Sequence, residues 1–399
     1  MRRVAITGIG AICAIGPNSR RTWEAARRGV CGIRPIANIP TARLGASLAA
    51  EVSGFDPAVH FDRRRLPMLD RAAQLTLVAA REAVAMAGLP TFPSHRAGAV
   101  LGAAIGQETC DDAYRALYGE GANRLHPLTV PRIMPSAPAS AVSMEFGLRG
   151  PTFSIASACA SSAHAIGHAF HMVRSGMLDI AVAGGGDASV VVGVLKGWEA
   201  LRVLSADGCR PFSRDRTGLV IGEGASILVL EPLDAARERG AEILAELVGF
   251  GMSADAGDLT APDQVGAAAA MRAALEDAGL DAGEIGYVNA HGTGTRLNDR
   301  TEAAALHRVF GPHPPPVSSS KSMMGHCMSA CGALELVLTV LALRDGVLPP
   351  TVGFREADPE CDLDCVPNVA RVTEAQAALS NSFAFGGLNA VLAVRRAAV

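Results

Sequence analysis

Short apolar runs alternate along the chain with longer stretches in which apolar positions recur every three or four residues. The runs predict strands at 4–9, 99–101, 152–156, 180–183, 226–230, 243–250, 286–289, 317–319, 377–381 and 390–394. The longer stretches predict helices at 71–87, 161–175, 266–278, 299–309 and 329–343. Helix 71–87 has Asp70 as its N-cap and stops at Gly88, with Pro90 beyond; helix 266–278 stops at Gly279. This alternation predicts α/β layers with mostly parallel strands, and near-continuous apolar strands predict sheets buried on both faces. Around residue 250 the order starts again and closes on antiparallel strands. Two similar halves are therefore expected, 1–245 and 246–399.

Composition narrows the class. The chain has 399 residues, 49% of them hydrophobic but only 4% aromatic, so aliphatic side chains and glycine must build the core. A net charge of −3 excludes a general nucleic-acid binder, which needs a basic surplus. Lys196 and Lys321 are the two lysines of the chain, so a lysine inside a motif stands out. Nine cysteines without framework spacing point to a reduced, cytoplasmic setting. Arg2 and Arg3 before the apolar run 4–13 imitate a signal peptide, but glycines interrupt the run and no small-residue cleavage site follows. No apolar run is long enough for a membrane helix.

Candidate chemistry gathers at three places. Cys159, in Ser157-Ala158-Cys159-Ala160-Ser161-Ser162, falls between a predicted strand and a predicted helix. A helix N-terminus favours negative charge, so a thiolate of lowered pKa is expected there. The same pattern also suits a buried structural cysteine. His291, in Asn289-Ala290-His291-Gly292-Thr293-Gly294-Thr295, and His326, in Lys321-Ser322-Met323-Met324-Gly325-His326, each follow a predicted strand. Each alone reads as a structural histidine; as a pair of neutral imidazoles near a thiol they can donate hydrogen bonds to a thioester enolate. Lys321 is expected to pair with Glu335, Asp299 or Glu302 and so to orient the histidines. The segment 381–389, with Phe383 and Phe385 among small residues, reads as a hairpin or as a loop gating a substrate.

These residues together resemble the elongating β-ketoacyl-acyl carrier protein synthases of type II fatty acid and polyketide synthesis. Further motifs carry the likeness: Gly147-Leu148-Arg149-Gly150-Pro151, Arg210-Pro211-Phe212-Ser213-Arg214-Asp215-Arg216-Thr217-Gly218 and Gly222-Glu223-Gly224-Ala225. The resemblance implies a thiolase-type fold, a five-layer αβαβα sandwich of two related halves. It also implies a decarboxylative condensation of an acyl group on Cys159 with a malonyl group, both delivered on the phosphopantetheine of acyl carrier protein. In this reading the N–H groups of Cys159 and Phe385 form the oxyanion hole, and His291 and His326 bind the malonyl thioester. Lys321, Glu335, Asp299 and Glu302 are the supporting charged network. Thr293 and Thr295 contact the pantetheine arm. No metal or other cofactor is implied. The expected assembly is a homodimer, with a heterodimer containing a chain-length-factor subunit as the alternative.

Departures from the family pattern mark the acyl pocket. Ala384 stands where glycine is common, Leu388 where threonine is, and Trp198 where phenylalanine is. Gln107 and Glu108 follow Ile105-Gly106 near the expected pocket floor, so a specialised pocket for unsaturated or polyketide-like chains is expected. Arg64, Arg124 and Arg202, with Arg63, Arg65 and Arg71, are the candidate docking surface for an acidic carrier protein. Four other signals carry no function. Gly8-Ile9-Gly10 lacks the third glycine of a dinucleotide fingerprint, Cys327/Cys331 lie on an expected helix beside the site while Cys361/Cys365 lack the C-x-x-C pattern of zinc, His164, His168 and His171 read as packing or surface residues on one helix, and Asp187 after Gly184-Gly185-Gly186 reads as a turn rather than a phosphate loop.

Overall fold

The computed structural model describes residues 1–89, 91–92 and 94–397; Pro90 lies outside them. Each of the ten expected strands is present: β1 Val4–Cys13, β2 Ala97–Ala103, β3 Thr152–Ile155, β4 Ile180–Ala188, β5 Glu223–Pro232, β6 Ala245–Ala254, β7 Ile285–Asn289, β8 Val317–Ser318, β9 Ala377–Ala384 and β10 Leu388–Arg396. They form one hydrogen-bonded sheet in the order β8-β7-β9-β10-β6-β1-β5-β4-β2-β3. The helices that matter here are α1 Arg71–Ala87, α2 Gln107–Tyr114, α3 Ala137–Phe146, α4 Ser161–Arg174, α5 Val192–Ala200, α6 Gln264–Ala278, α7 Arg296–Phe310 and α8 Cys331–Asp345.

The order divides into two five-stranded units of the same topology. In the first, β3-β2-β4-β5-β1, the pairs β3–β2 and β2–β4 are parallel, and β4–β5 and β5–β1 are antiparallel. In the second, β8-β7-β9-β10-β6 repeats those directions. Val4–Ile6 of β1 pair antiparallel with 245–247 of β6 and join the units. Helices follow the same repeat. α1 and α3 pack together on one outer face, α6 and α7 on the other, and α4 and α8 meet between the two units. The result is the five-layer αβαβα sandwich.

The expected parallel bias is corrected: five of the nine strand pairings are antiparallel. Apolar patterning reports burial, not direction, whereas direction follows the connections. A tight turn between β9 and β10 forces an antiparallel pair. Burial on both faces holds, since all residues of β1 and β4 are buried. Gly8 and Gly10 belong to this packing. A Cβ on Gly10 would lie 1.9 Å from the Ala79 carbonyl, so the glycines let α1 lie directly on β1. Their spacing needs no nucleotide. Among the described residues no helix is long and apolar enough to cross a membrane.

Candidate active site

Cys159 lies in a single 3-10 turn, Ala158–Ala160, between β3 and α4. Ala158 holds φ at +49°, a left-handed conformation that costs an alanine on the order of 1 kcal/mol or more. Hydrogen bonds fix the strained turn: Ser157 N donates to Ser161 Oγ at 2.9 Å, and Ser161 Oγ donates to Ala158 O at 2.6 Å. His164, one turn into α4, sits 2.9 Å from Ser157 Oγ and 3.1 Å from Ala160 O through Nδ1. It packs as expected, yet it also braces the cysteine turn. Gly102 of β2 lies under the helix start, where a Cβ would come within 2.2 Å of Ser162 N.

The second unit supplies the imidazoles. His291 follows β7, and Glu302 on α7 accepts the N–H groups of His291 (2.9 Å) and Gly292 (2.7 Å), plus Asn381 Nδ2 at 3.1 Å. Asp299, one turn earlier, accepts Phe212 N at 2.8 Å and Gly294 N at 3.2 Å. Both carboxylates hold backbone loops. The partner of Lys321 is Glu335 on α8, in a fully buried ion pair. Of the three carboxylates expected for Lys321, then, one makes the pair and two shape the loop around His291.

Nδ1 of both rings is engaged. Lys321 Nζ, a donor, lies 3.3 Å from His291 Nδ1. Met328 N donates to His326 Nδ1 at 3.0 Å, with Cys331 Sγ 3.3 Å away from the same nitrogen. An acceptor Nδ1 places the proton of each neutral ring on Nε2. Burial and the Lys321 charge hold both rings well below the usual histidine range, so they are neutral. Cys159 Sγ and one ring nitrogen of each histidine lie within 4.8 Å of one another, with the rings 5.6 Å apart and nearly perpendicular. Such a triad suits zinc in ligand type, but the fixed charge of Lys321 against His291 opposes a second cation.

The thiol corrects a second expectation. Burial pushes Cys159 up to about 12, and the pull of Lys321 only partly offsets it. The helix N-terminus does not overcome desolvation, so the resting group is a thiol. Glu335 is raised by burial while Lys321 pulls it down, and Lys321 stays charged because Glu335 holds it so.

Two cavities meet at Cys159. One, about 220 Å³, carries His291, Thr293, Thr295, His326, Phe383 and the segment 259–262 in its wall. The other, about 410 Å³, is lined by Ile105, Gln107, Asp187, Val194, Met328 and Ser329 among others. Trp198 and Phe385 stack with centroids 5.6 Å apart and border both. The structure thus brings Thr293, Thr295, Phe383, Phe385, Trp198 and Ile105 to the site. Glu108 is not there: it faces a separate charged cavity with Arg71, Asp111 and Glu223, because α2 turns the two neighbouring side chains to different sides. Arg64, Arg124 and Arg202 are exposed, as is Arg63. Arg65 and Arg71 are not free, being paired with Glu145 and Glu223. Arg202 lies nearest the smaller cavity in sequence, between wall residues Leu201 and Val203.

Sequence reasoning missed Asp187. It is buried at the end of β4, accepts Ser329 Oγ at 2.7 Å and Ser329 N at 3.2 Å, and is pushed up to about 6 by burial. The run of glycines before it suggested only a turn. Cys331 was noticed as lying beside the site, but nothing in the sequence gives its contact with His326.

A thiol facing two neutral imidazole donors, on a duplicated αβαβα sandwich, defines a carbon–carbon condensing enzyme of the thiolase type. The chain belongs to the beta-ketoacyl synthase family: residues 1–236 match the N-terminal domain of that family and residues 244–355 its C-terminal domain. It is 48% identical over 400 residues to Nodulation protein E of Rhizobium sp. (strain N33), covering 99% of both chains. It is 40% identical over 407 residues to 3-oxoacyl-[acyl-carrier-protein] synthase 2 of Staphylococcus aureus (strain COL), covering 99% of this chain and 98% of that one. A solved structure described as the ishigamide ketosynthase/chain length factor superposes with a TM-score of 0.95 at 38% identity over the whole of both chains. The chain is an acyltransferase of the ketosynthase kind, in fatty acid or polyketide synthesis.

Proposed function

We propose that Cys159 accepts an acyl group from acyl carrier protein and that His291 and His326 drive its condensation with malonyl-acyl carrier protein. The observation that carries this reading is the convergence, within 4.8 Å, of the thiol and one ring nitrogen of each of two neutral imidazoles. Cys159 attacks the carrier thioester, and its own N–H with that of Phe385 receives the oxyanion. The carrier thiol leaves with the proton of Cys159. The malonyl thioester oxygen then lies between the two Nε2–H groups. Loss of CO2 places charge on that oxygen, and the enolate carbon attacks the acyl carbonyl on Cys159. The cysteine sulfur departs, leaving 3-ketoacyl-acyl carrier protein. Thr293 and Thr295, whose hydroxyls lie 2.9 Å apart in the smaller cavity, suit a pantetheine arm. Exposed Arg64, Arg124 and Arg202 suit an acidic carrier. Decarboxylation supplies the driving force, so neither a metal nor a nucleotide is needed.

A second reading concerns assembly. Strand β3 ends the sheet, and Phe153 on it and Met144 on α3, which packs against it, are exposed apolar residues. An open edge beside such a face calls for a covering subunit. A second copy or a chain-length-factor subunit would serve, and the superposed ketosynthase/chain length factor favours considering the latter. We keep the division at 1–245 and 246–399 as the two-unit boundary, and a cytoplasmic setting, supported by nine free cysteines. The test is to mix the purified chain with acyl- and malonyl-acyl carrier protein and read the carrier by intact mass. A 3-ketoacyl product lost in Cys159→Ala supports the reading. Absence of product that a chain-length-factor subunit restores selects the heterodimer, and absence even then overturns the condensing role.

A further inference from the structure

The wall of the 410 Å³ cavity is apolar apart from a few side chains, and most of those are already paired. Ser161 Oγ donates to Ala158 O. Asp187 takes Ser189 Oγ as well as Ser329 Oγ and N. Gln107 differs. Its amide makes no hydrogen bond with any described residue, and its Oε1 is buried. A buried amide oxygen without a partner costs about 1–3 kcal/mol, and the cost falls only on chains that cannot pair with it. Gln107 opens α2 directly after Gly106, whose Cβ position is closed by the Arg132 carbonyl at 2.4 Å, so the backbone that aims the side chain is tightly held.

We propose that Gln107 is a specificity-determining residue that reads an oxygen on the acyl chain, and that the favoured substrate class is a hydroxyacyl thioester. A hydroxyl can donate to Oε1 and accept from the amide N–H; an alkyl chain does neither and leaves Oε1 unpaired. A carbon–carbon double bond offers no donor, so unsaturation alone does not meet this group. The proposal rests on the reading of Cys159 as the acyl carrier. It goes further in naming the chain by its hydrogen-bonding chemistry.

The test is loading without malonyl groups. The full chain is offered pairs of acyl-acyl carrier protein thioesters of matched length, one a simple alkyl chain and one its distal alcohol, over a short, a medium and a longer length. Acyl-Cys159 is read by intact mass. At one length the alcohol is expected to load at least about fivefold faster, in keeping with one recovered hydrogen bond. Gln107→Leu is expected to abolish that preference and to load the alkyl chain at least as well as the parent, which also reports that the variant is folded. Equal loading at every length, as when the amide instead meets a second subunit, overturns the proposal. So does a preference that survives Gln107→Leu. Failure to load any chain overturns the role of Cys159 itself, a result distinct from the loss of preference.

Discussion

The turn that carries Cys159 has a counterpart in the second unit. Before α4, Ala158 adopts φ +49° in the turn Ala158–Ala160; before α8, Met328 adopts φ +43° in the turn Met328–Ala330. Position for position, Cys159 matches Ser329. Two residues separate β3 from the first turn, whereas nine, 319–327, separate β8 from the second. The longer connection carries Lys321 and His326. Topology is thus repeated while chemistry is divided. The first unit presents a nucleophile at a short, strained entry; in the second the matching residue, Ser329, is tied down by Asp187 of the first unit, and the longer loop goes to imidazoles and their support.

The most severe way to break this division is to move the thiol. Cys159→Ala/Ser329→Cys places a cysteine at the matching turn, but Asp187 and the Gly186 carbonyl occupy that side chain. Complete loss of acyl loading is expected, read by intact mass. Loading at residue 329 would show the turns to be interchangeable. Replacing either histidine by alanine removes one donor from the enolate. Condensation is expected to fall by about 10²–10³-fold, as for an oxyanion donor, while loading of Cys159 persists. Equal loss of both steps would place the histidines in acylation instead.

The buried ion pair sharpens the account of the second unit. Lys321→Met leaves Glu335 buried and unpaired, and a loss of about 3–5 kcal/mol in urea unfolding is expected. Adding Glu335→Leu should restore most of that stability. Condensation should stay low, because His291 Nδ1 has lost its donor. Recovery of activity in the double variant would reduce the pair to a structural role.

A pH series tests the thiol of the first unit. With Cys159 pushed up from 9.0 to about 12, the thiolate is scarce at neutral pH. Loading should therefore rise about tenfold per pH unit from 7 to 9. A flat profile would mean that a neighbouring group removes the proton. The sign for stability is opposite. The folded state holds this proton more tightly, so its contribution is full below pH 9 and is lost as pH rises towards 12.

Much of this was legible in the chain. All ten strands and five long helices lie where the apolar pattern put them, because burial repeats with the period of each element. The thiol and the two imidazoles were legible because small residues and glycines frame each one. Strand direction was not, since it is set by how the connections close. α2 reads as polar, and α5 is interrupted by Gly193 and Gly197, so neither gave a helical pattern and Trp198 lacked its frame. Glu108 was misplaced for that reason: without α2, two consecutive residues seemed to share one cavity. The raised thiol and the choice of Glu335 by Lys321 depend on depth and distance, which no local pattern records.

The smallest effect concerns the strain itself. Ala158→Gly removes the Cβ that disfavours φ +49°, but it adds chain entropy to the unfolded state. The two terms nearly cancel, so unfolding free energy should change by less than about 1 kcal/mol. Loading should respond more, falling several-fold, because the glycine frees the turn that aims Cys159. Met328→Gly at the matching position also relieves strain, yet it empties a buried side chain and should cost about 2–4 kcal/mol net. If Ala158→Gly leaves loading unchanged, the hydrogen bonds from Ser157, Ser161 and His164 hold the nucleophile without help from the strained residue. The shared conformation would then be a relic of the duplication rather than a device of the first unit.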